Sequence, residues 1–333
     1  MRPVPSVPCP ADNQLLQTLR GFHEPRVMRG LVAHWPVVKA ATQSNQALVN
    51  YLSQFDKGMV VDCLHLAAKH QGRMFYNEQM NGFNFTRQRQ PFMAALNMLL
   101  ERQDSPDADS LYVGSTSIDS CLPGFTHENP IPLDEAEPLA TLWIGNKSRI
   151  AAHYDAPDNL ICVTAGRRKV TLFPPAEVEN LYVGPLHFTP AGQAVSLVDF
   201  HAPDYDKFPR FKEALDNAFT VELEPGDALL IPSMWWHHIE GQQSLNMLVN
   251  FWWRDAPSHL GRAENALYHA LLSLSQLPDK ERQAWQSMFD FYVFGQDSQR
   301  FEHIPEAMKG PLGEQSETTQ RQFRAWLANH LKQ

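Results

Sequence analysis

Residues 152–159 read AHYDAPDN, inside the longer stretch LWIGNKSRIAAHYDAPDNLICV (142–163). An extended chain sends alternate side chains to opposite faces, so a strand here would turn His153 and Asp155 to one side and Tyr154 to the other. An imidazole and a carboxylate sharing a face can form a hydrogen-bonded pair, a catalytic dyad or part of a metal site. The apolar residues around them look like sheet or barrel core. A third ligand elsewhere in the chain would decide between these readings.

Residues 227–240, DALLIPSMWWHHIE, supply a candidate. A strand running to Pro232 is followed by Trp235 and Trp236 and then by His237 and His238. Alternation lets only one of these histidines share a face with His153. Two histidines and one carboxylate, with nothing nearby to close a tetrahedron, match the facial triad of non-haem iron(II) oxygenases, which leaves coordination positions open. Zinc would accept the same three ligands plus a water as a hydrolytic site. Trp235 and Trp236 read as packing at a barrel edge, and His187, His201 and His238 as ordinary loop or surface histidines.

Outward from these two stretches, residues 111–257 consist of short β-rich runs separated by Pro, Gly and Asp: SLYVG, ATLWIG, RIAAHYD, NLICVTAG, RRKVTLFPP, AFTVELEPGDALLIPS and LNMLVNFWW. Such spacing predicts a barrel or sandwich. An aromatic-rich insertion at about 176–218 interrupts the strands, and long loops of this kind are more often functional than idle. Residues 1–110 mix helical and extended segments. ADNQLLQTLRGF and QPFMAALNMLLERQ read as helices, PRVMRGLVAHWPVV as a strand stopped by Pro36, and the polar stretch 103–110 as a boundary. Residues 258–333 turn helical, with Leu260, Ala263, Leu267, Ala270, Leu271 and Leu274 at helical spacing, Pro278 opening a second helix and TTQRQFRAWLANHLKQ forming a last one. Their apolar faces would pack on the barrel or meet a second copy, giving a possible homodimer. The expected class is mainly β with α appendages.

The chain has 333 residues, 43% hydrophobic and 20% charged, which is the composition of a folded protein. Its formal net charge of −9 argues against general nucleic-acid binding. No apolar run approaches the roughly 20 residues of a membrane span. The opening MRPVPSVPCPADNQ lacks the apolar centre of a secretory signal, so a cytoplasmic location is expected. Cys9, Cys63, Cys121 and Cys162 show no C-x-x-C or zinc-like spacing and read as free thiols.

The combination of AHYDAPDN, GRRKVTLFPP, SLVDFHAPDYDKFPRF, EPGDALLIPSMWWHHIE and VNFWWRDAP, in that order and spacing, resembles the JmjC and cupin-like oxygenases, in the branch of the asparaginyl hydroxylases that inhibit hypoxia-inducible factor. The likeness covers about residues 111–257, and PRVMRGLVAHWP and NGFNF extend a weaker version of it towards the N-terminus. The resemblance implies a double-stranded β-helix (jelly-roll) core holding iron(II), with 2-oxoglutarate as co-substrate and dioxygen as oxidant. It implies His153, Asp155 and His237 as metal ligands and catalytic residues, with His238 pointing away. It places Tyr112, Asn159, Arg168 and Asn250 around the co-substrate, and Trp252 as a wall of that pocket.

Two positions depart from the pattern. Arg168 stands where close relatives carry lysine; its planar fork can hold a carboxylate through two hydrogen bonds, and Lys169, the alternative holder of the distal carboxylate, would face outward if Arg168 faces in. Ile150 replaces a threonine that helps hold the distal carboxylate, removing a hydrogen bond worth about 0.5–1.5 kcal/mol net, or up to about 3 kcal/mol to a charged group. The implied activity is a dioxygenase that hydroxylates a protein or peptide side chain while 2-oxoglutarate becomes succinate. The alternatives are a small metabolite or peptide natural product as substrate, or a catalytically inactive metal-binding module. A chromatin demethylase is not expected, since no reader segment is apparent.

Overall fold

The computed structural model describes residues 1–105, 107–297, 299–313 and 316–332. Pro106, in the boundary stretch 103–110, and Gln333, at the end of the last predicted helix, lie outside the described residues. The chain divides into two units, Met1–Arg254 and Asp255–Gln333.

In the first unit the strands are β1 (Arg2–Pro3), β2 (Arg26–Met28), β3 (Val60–Leu66), β4 (Arg73–Met74), β5 (Phe85–Pro91), β6 (Ser110–Ser117) and β7 (Leu139–Gly145). They continue as β8 (Ser148–His153), β9 (Asp158–Ala165), β10 (Arg168–Phe173), β11 (Phe219–Leu223), β12 (Ala228–Ile231), β13 (Trp236–Gly241) and β14 (Asn246–Trp253). They form a six-stranded sheet, β1-β11-β10-β13-β8-β4, and an eight-stranded sheet, β2-β12-β9-β14-β7-β6-β3-β5. Val170 and Leu172 of the first sheet share one buried cluster with Ile161, Val163, Leu229 and Leu248 of the second, so the sheets face each other across a common core. This is the mainly β, double-stranded β-helix core with helical appendages that the sequence implies.

Alternation decides what each sheet presents. Along β10, Val170 and Leu172 enter the inter-sheet core while Phe173 packs on the outer side. Arg168 has the parity of Val170 and is buried inside; Lys169 is only partly buried. Four helices, α1 (Leu15–Arg20), α2 (Pro36–Gln43), α3 (Asn45–Ser53) and α4 (Phe92–Arg102), bury Leu19, Val37, Leu48, Leu52 and Phe92 against the outer face of the larger sheet. Pro36 is the first residue of α2, where its missing N–H costs nothing; the predicted strand before it ends earlier, at Met28. The insertion between β10 and β11 packs Leu181, Val198, Phe208 and Phe211 against Phe173 and Trp236 on the other outer face.

The second unit is helical, with helices at Glu264–Leu274, Asp279–Phe289 and Glu317–His330. None of these three contains a buried residue. Among the described residues, no helix is long and apolar enough to cross a membrane.

Candidate metal centre

His153 ends β8 and His237 lies directly opposite it in β13. Plain alternation would not put His153 inside together with Ile150, which lies three positions earlier. A bulge resolves this, because His237 pairs with His153 and Ile239 with Ile150, so β8 carries one extra residue. Ala151 and Ala152 are both turned into clusters other than the inter-sheet core, and Ile150 and His153 both line the interior cavity. The strand stops at His153, so Asp155 is brought to the site by a turn and not by the strand alternation first considered.

Backbone bonds tie that turn to the loop before His237. Met234 N–H donates to the Asp155 carbonyl at 2.8 Å, Ser233 N–H to the Asp158 carboxylate at 2.9 Å and the Ser233 hydroxyl to the Ala156 carbonyl at 2.6 Å. Met234 adopts φ 66°, a left-handed conformation rare for a residue with a side chain. The two ligand-bearing segments are therefore fixed to each other before any ion binds.

Potential ligand atoms of His153, Asp155 and His237 all lie within 4.8 Å of one another. The two imidazoles have ring centroids 4.4 Å apart, and His237 Nε2 is 3.5 Å from an Asp155 oxygen. Each histidine is held by its other nitrogen: His153 Nδ1 lies 2.9 Å from the Ala151 carbonyl and His237 Nδ1 3.0 Å from the Trp235 carbonyl. A carbonyl only accepts, so Nδ1 carries a hydrogen on both rings and each Nε2 is left to face the site. Burial and the neighbouring His237 hold His153 down at about 4, so its imidazole is neutral and ready to ligate. Burial opposes ionisation of Asp155, but hydrogen bonding and charge from His237, with His153 and Trp252, outweigh it and keep the carboxyl below its usual range. Two imidazoles, each oriented by a backbone acceptor, and one carboxylate are a donor set that fits a divalent metal.

The same cavity contains every residue predicted to face the co-substrate: Tyr112, Asn159, Arg168, Asn250 and Trp252. Arg168 is 1% exposed. Among the described residues it has no carboxylate partner; its Nε is unpaired and one terminal nitrogen reaches the Trp143 carbonyl only at 3.4 Å. Its polar neighbour is the Tyr112 hydroxyl, whose pKa burial pushes up to about 12 against the pull of Arg168, leaving a phenol O–H at neutral pH. Ile150, Ile161, Ile239 and Leu248 line apolar walls of the cavity.

Trp143 and Thr141, on β7, were not predicted. Trp143 Nε1 donates to Asn250 Oδ1 at 2.8 Å and to Thr141 Oγ1 at 2.9 Å, and Asn250 Nδ2 donates to Asn159 Oδ1 at 3.1 Å. The only signal in the sequence was the shared parity of Thr141 and Trp143 in an otherwise apolar strand. His238 corrects the surface reading: it points away from the triad but is buried, its ring tilted against Phe200 at 4.5 Å and 3.4 Å from Glu240. His187 and His201 are exposed, and His201 bonds Glu240 at 2.7 Å.

A family model of the cupin-like domain matches residues 13–259. Lysine-specific demethylase JMJ31 of Arabidopsis thaliana is 33% identical over 141 residues, covering 40% of this chain and 25% of that protein. tRNA wybutosine-synthesizing protein 5 of Mus musculus is 30% identical over 156 residues, 42% of this chain and 44% of that protein. Lysine-specific demethylase 8 of Xenopus tropicalis is 26% identical over 260 residues, 75% of this chain and 52% of that protein. The match thus spans a quarter to about half the length of these relatives.

Proposed function

The chain belongs to the cupin-like domain family with JmjC relatives, and from that premise we propose that it is an iron(II)- and 2-oxoglutarate-dependent oxygenase that hydroxylates a protein or peptide side chain. The observation that carries this reading is a guanidinium buried without a carboxylate partner among the described residues, in the same cavity as two histidines and an aspartate. A buried cation is costly unless paired, so the cavity is suited to an anion that spans both features. A 2-oxo dicarboxylate has a chelating end for the metal and a second carboxylate for Arg168.

In this scheme His153, Asp155 and His237 hold the metal, and their backbone acceptors keep each Nε2 aimed at it. With 2-oxoglutarate and dioxygen, bound iron(II) would supply the oxidising chemistry that puts one oxygen atom into a substrate C–H to give C–OH and the other into succinate, with carbon dioxide released from the 2-oxo acid. Arg168 and the Tyr112 hydroxyl donate to the distal carboxylate. Asn159 and Asn250 line the same cavity as amide partners for the co-substrate. Trp252 walls the pocket with its indole N–H towards Asp155, and the isoleucine and leucine side chains exclude water.

The names of the demethylase relatives support a protein side chain as substrate, whereas the tRNA wybutosine-synthesizing relatives favour another class. The test is succinate release from 2-oxoglutarate with iron(II), alone and with peptide pools, small metabolites or tRNA. Stimulation by peptides is expected. Stimulation by tRNA or metabolites alone would replace the substrate class, and no turnover in any arm by metal-loaded protein would make it a binding module.

We also read the chain as a cytoplasmic homodimer joined through its C-terminal helices. Leu267, Leu271, Trp285 and Trp326 are all exposed, and Cys9, Cys63, Cys121 and Cys162 are free thiols suited to a reducing compartment. Sedimentation of the wild type as a dimer and of Leu271→Asp as a monomer supports this; a monomeric wild type refutes it.

A further inference from the structure

Three adjacent strands carry a chain of hydrogen bonds that begins outside the predicted site. We infer that Trp143 is a positioning residue whose indole N–H, acting through Asn250, orients Asn159 so that its N–H donors face the cavity to receive an oxygen of a 2-oxo acid. The inference rests on the co-substrate reading above.

An indole nitrogen donates and cannot accept. The Asn250 atom 2.8 Å from Trp143 Nε1 must therefore be oxygen, since the flipped amide would set donor against donor. Thr141, opposite Asn250 in the β7–β14 pairing, reinforces this: its oxygen accepts from Trp143 and its hydrogen goes to the same Asn250 oxygen. With Oδ1 engaged, Asn250 must turn Nδ2 towards Asn159 on β9, to which it donates at 3.1 Å. Asn159 Oδ1 is thereby occupied. Its Nδ2 has no acceptor in the protein among the described residues, and the residue lines the cavity beside the triad.

Both asparagines are buried, so bulk water cannot compensate for a reversed amide. Room for the indole comes from Gly114, where a Cβ would lie 2.9 Å from Trp143 Cζ3. The Trp143 carbonyl also faces Arg168, so one residue supports donors for both ends of a dicarboxylate.

Trp143→Phe keeps an aromatic ring and deletes the N–H. Calorimetry on the manganese(II)-loaded full chain measures affinity for N-oxalylglycine, an inert 2-oxoglutarate analogue, with manganese(II) affinity measured separately. Expected are an unchanged metal affinity, a roughly ten- to hundredfold loss of analogue affinity, and a rise in KM for 2-oxoglutarate larger than any fall in kcat. Thr141→Ser, which keeps the hydroxyl, should behave as wild type. Should Trp143→Phe fail to fold, Thr141→Val provides the test: it keeps the shape, does not line the cavity and deletes the hydroxyl that fixes the Asn250 oxygen, so a smaller loss of the same selective kind is expected. Analogue affinity equal to wild type in the folded variant overturns the relay and leaves the 2-oxo acid site standing. Absence of analogue binding by the metal-loaded wild type overturns the site itself, and the relay with it.

Discussion

Arg168 lies inside the barrel with no anionic partner among the described residues, so its charge burdens the unliganded fold. Arg168→Met removes that charge while filling most of the same volume. Replacing a buried ion by a hydrocarbon of similar size is commonly neutral or stabilising, and here the losses are one long contact, 3.4 Å to the Trp143 carbonyl, and the interaction with the Tyr112 hydroxyl. Stability should stay within about 1 kcal/mol of wild type, or rise. Co-substrate binding should move the other way. A guanidinium fork holding a carboxylate makes two hydrogen bonds to a charged group, each worth about 1.5–3 kcal/mol, so about 3–6 kcal/mol is at stake. At about 1.4 kcal/mol per decade, affinity falls at least about a hundredfold. Thermal unfolding reads the first quantity and calorimetry with N-oxalylglycine on manganese(II)-loaded protein the second. Arg168→Lys, which keeps a cation but not the fork, should fall in between. The reasoning is refuted if Arg168→Met binds the analogue like wild type, or if it unfolds several kcal/mol more easily, which would make Arg168 a structural ion.

Asp155→Ala should abolish metal binding while changing stability little, since its turn is held by backbone and Ser233 bonds; equilibrium dialysis against manganese(II) and a melting curve check both. Gly114→Ala should press on Trp143 and Tyr112, whose atoms lie within 3.0 Å of the added carbon, costing about 1–3 kcal/mol in denaturant unfolding together with analogue affinity. Burial alone would raise the Glu240 pKa, but the hydrogen bond with His201 and the nearby His238 ring override it and hold it at about 2, against an ordinary 4.5. A folded-state value below the unfolded one stabilises above about pH 4.5 and is lost as pH falls towards 2, so Glu240→Gln should flatten that part of the acid unfolding curve. The flattening should be about 1–2 kcal/mol, discounted because His201 is half exposed; an unchanged curve would refute the pairing.

Much of the centre was legible because it depends on residue type and parity. HYD and WWHH offered the ligands, parity allowed only one of His237 and His238 and one of Arg168 and Lys169 to face inward, and the family resemblance favoured His237 and Arg168. The turn that delivers Asp155 and the extra residue at Ala151–Ala152 were not legible, because register between β8 and β13 is set by packing across the sheet. Trp143 was missed for a similar reason. Its partner Asn250 is 107 positions away, and a tryptophan in a strand reads as core until an acceptor is seen beside it. His238 was misread because the insertion that buries it carries no periodic pattern to show which face it covers. Likewise β3 and β5, at one edge of the eight-stranded sheet, lie in a region whose extended segments seemed only short.

The central claim is that side chains from β8, its following turn and β13 share one ion. Its most direct test is an anaerobic crystal structure of the full chain with iron(II) and N-oxalylglycine, using anomalous scattering at the iron edge. The account predicts a single peak within bonding distance of His153 Nε2, an Asp155 oxygen and His237 Nε2, with the analogue's far carboxylate on Arg168. An iron peak elsewhere, or none at these three residues in protein that binds the metal in solution, would contradict it.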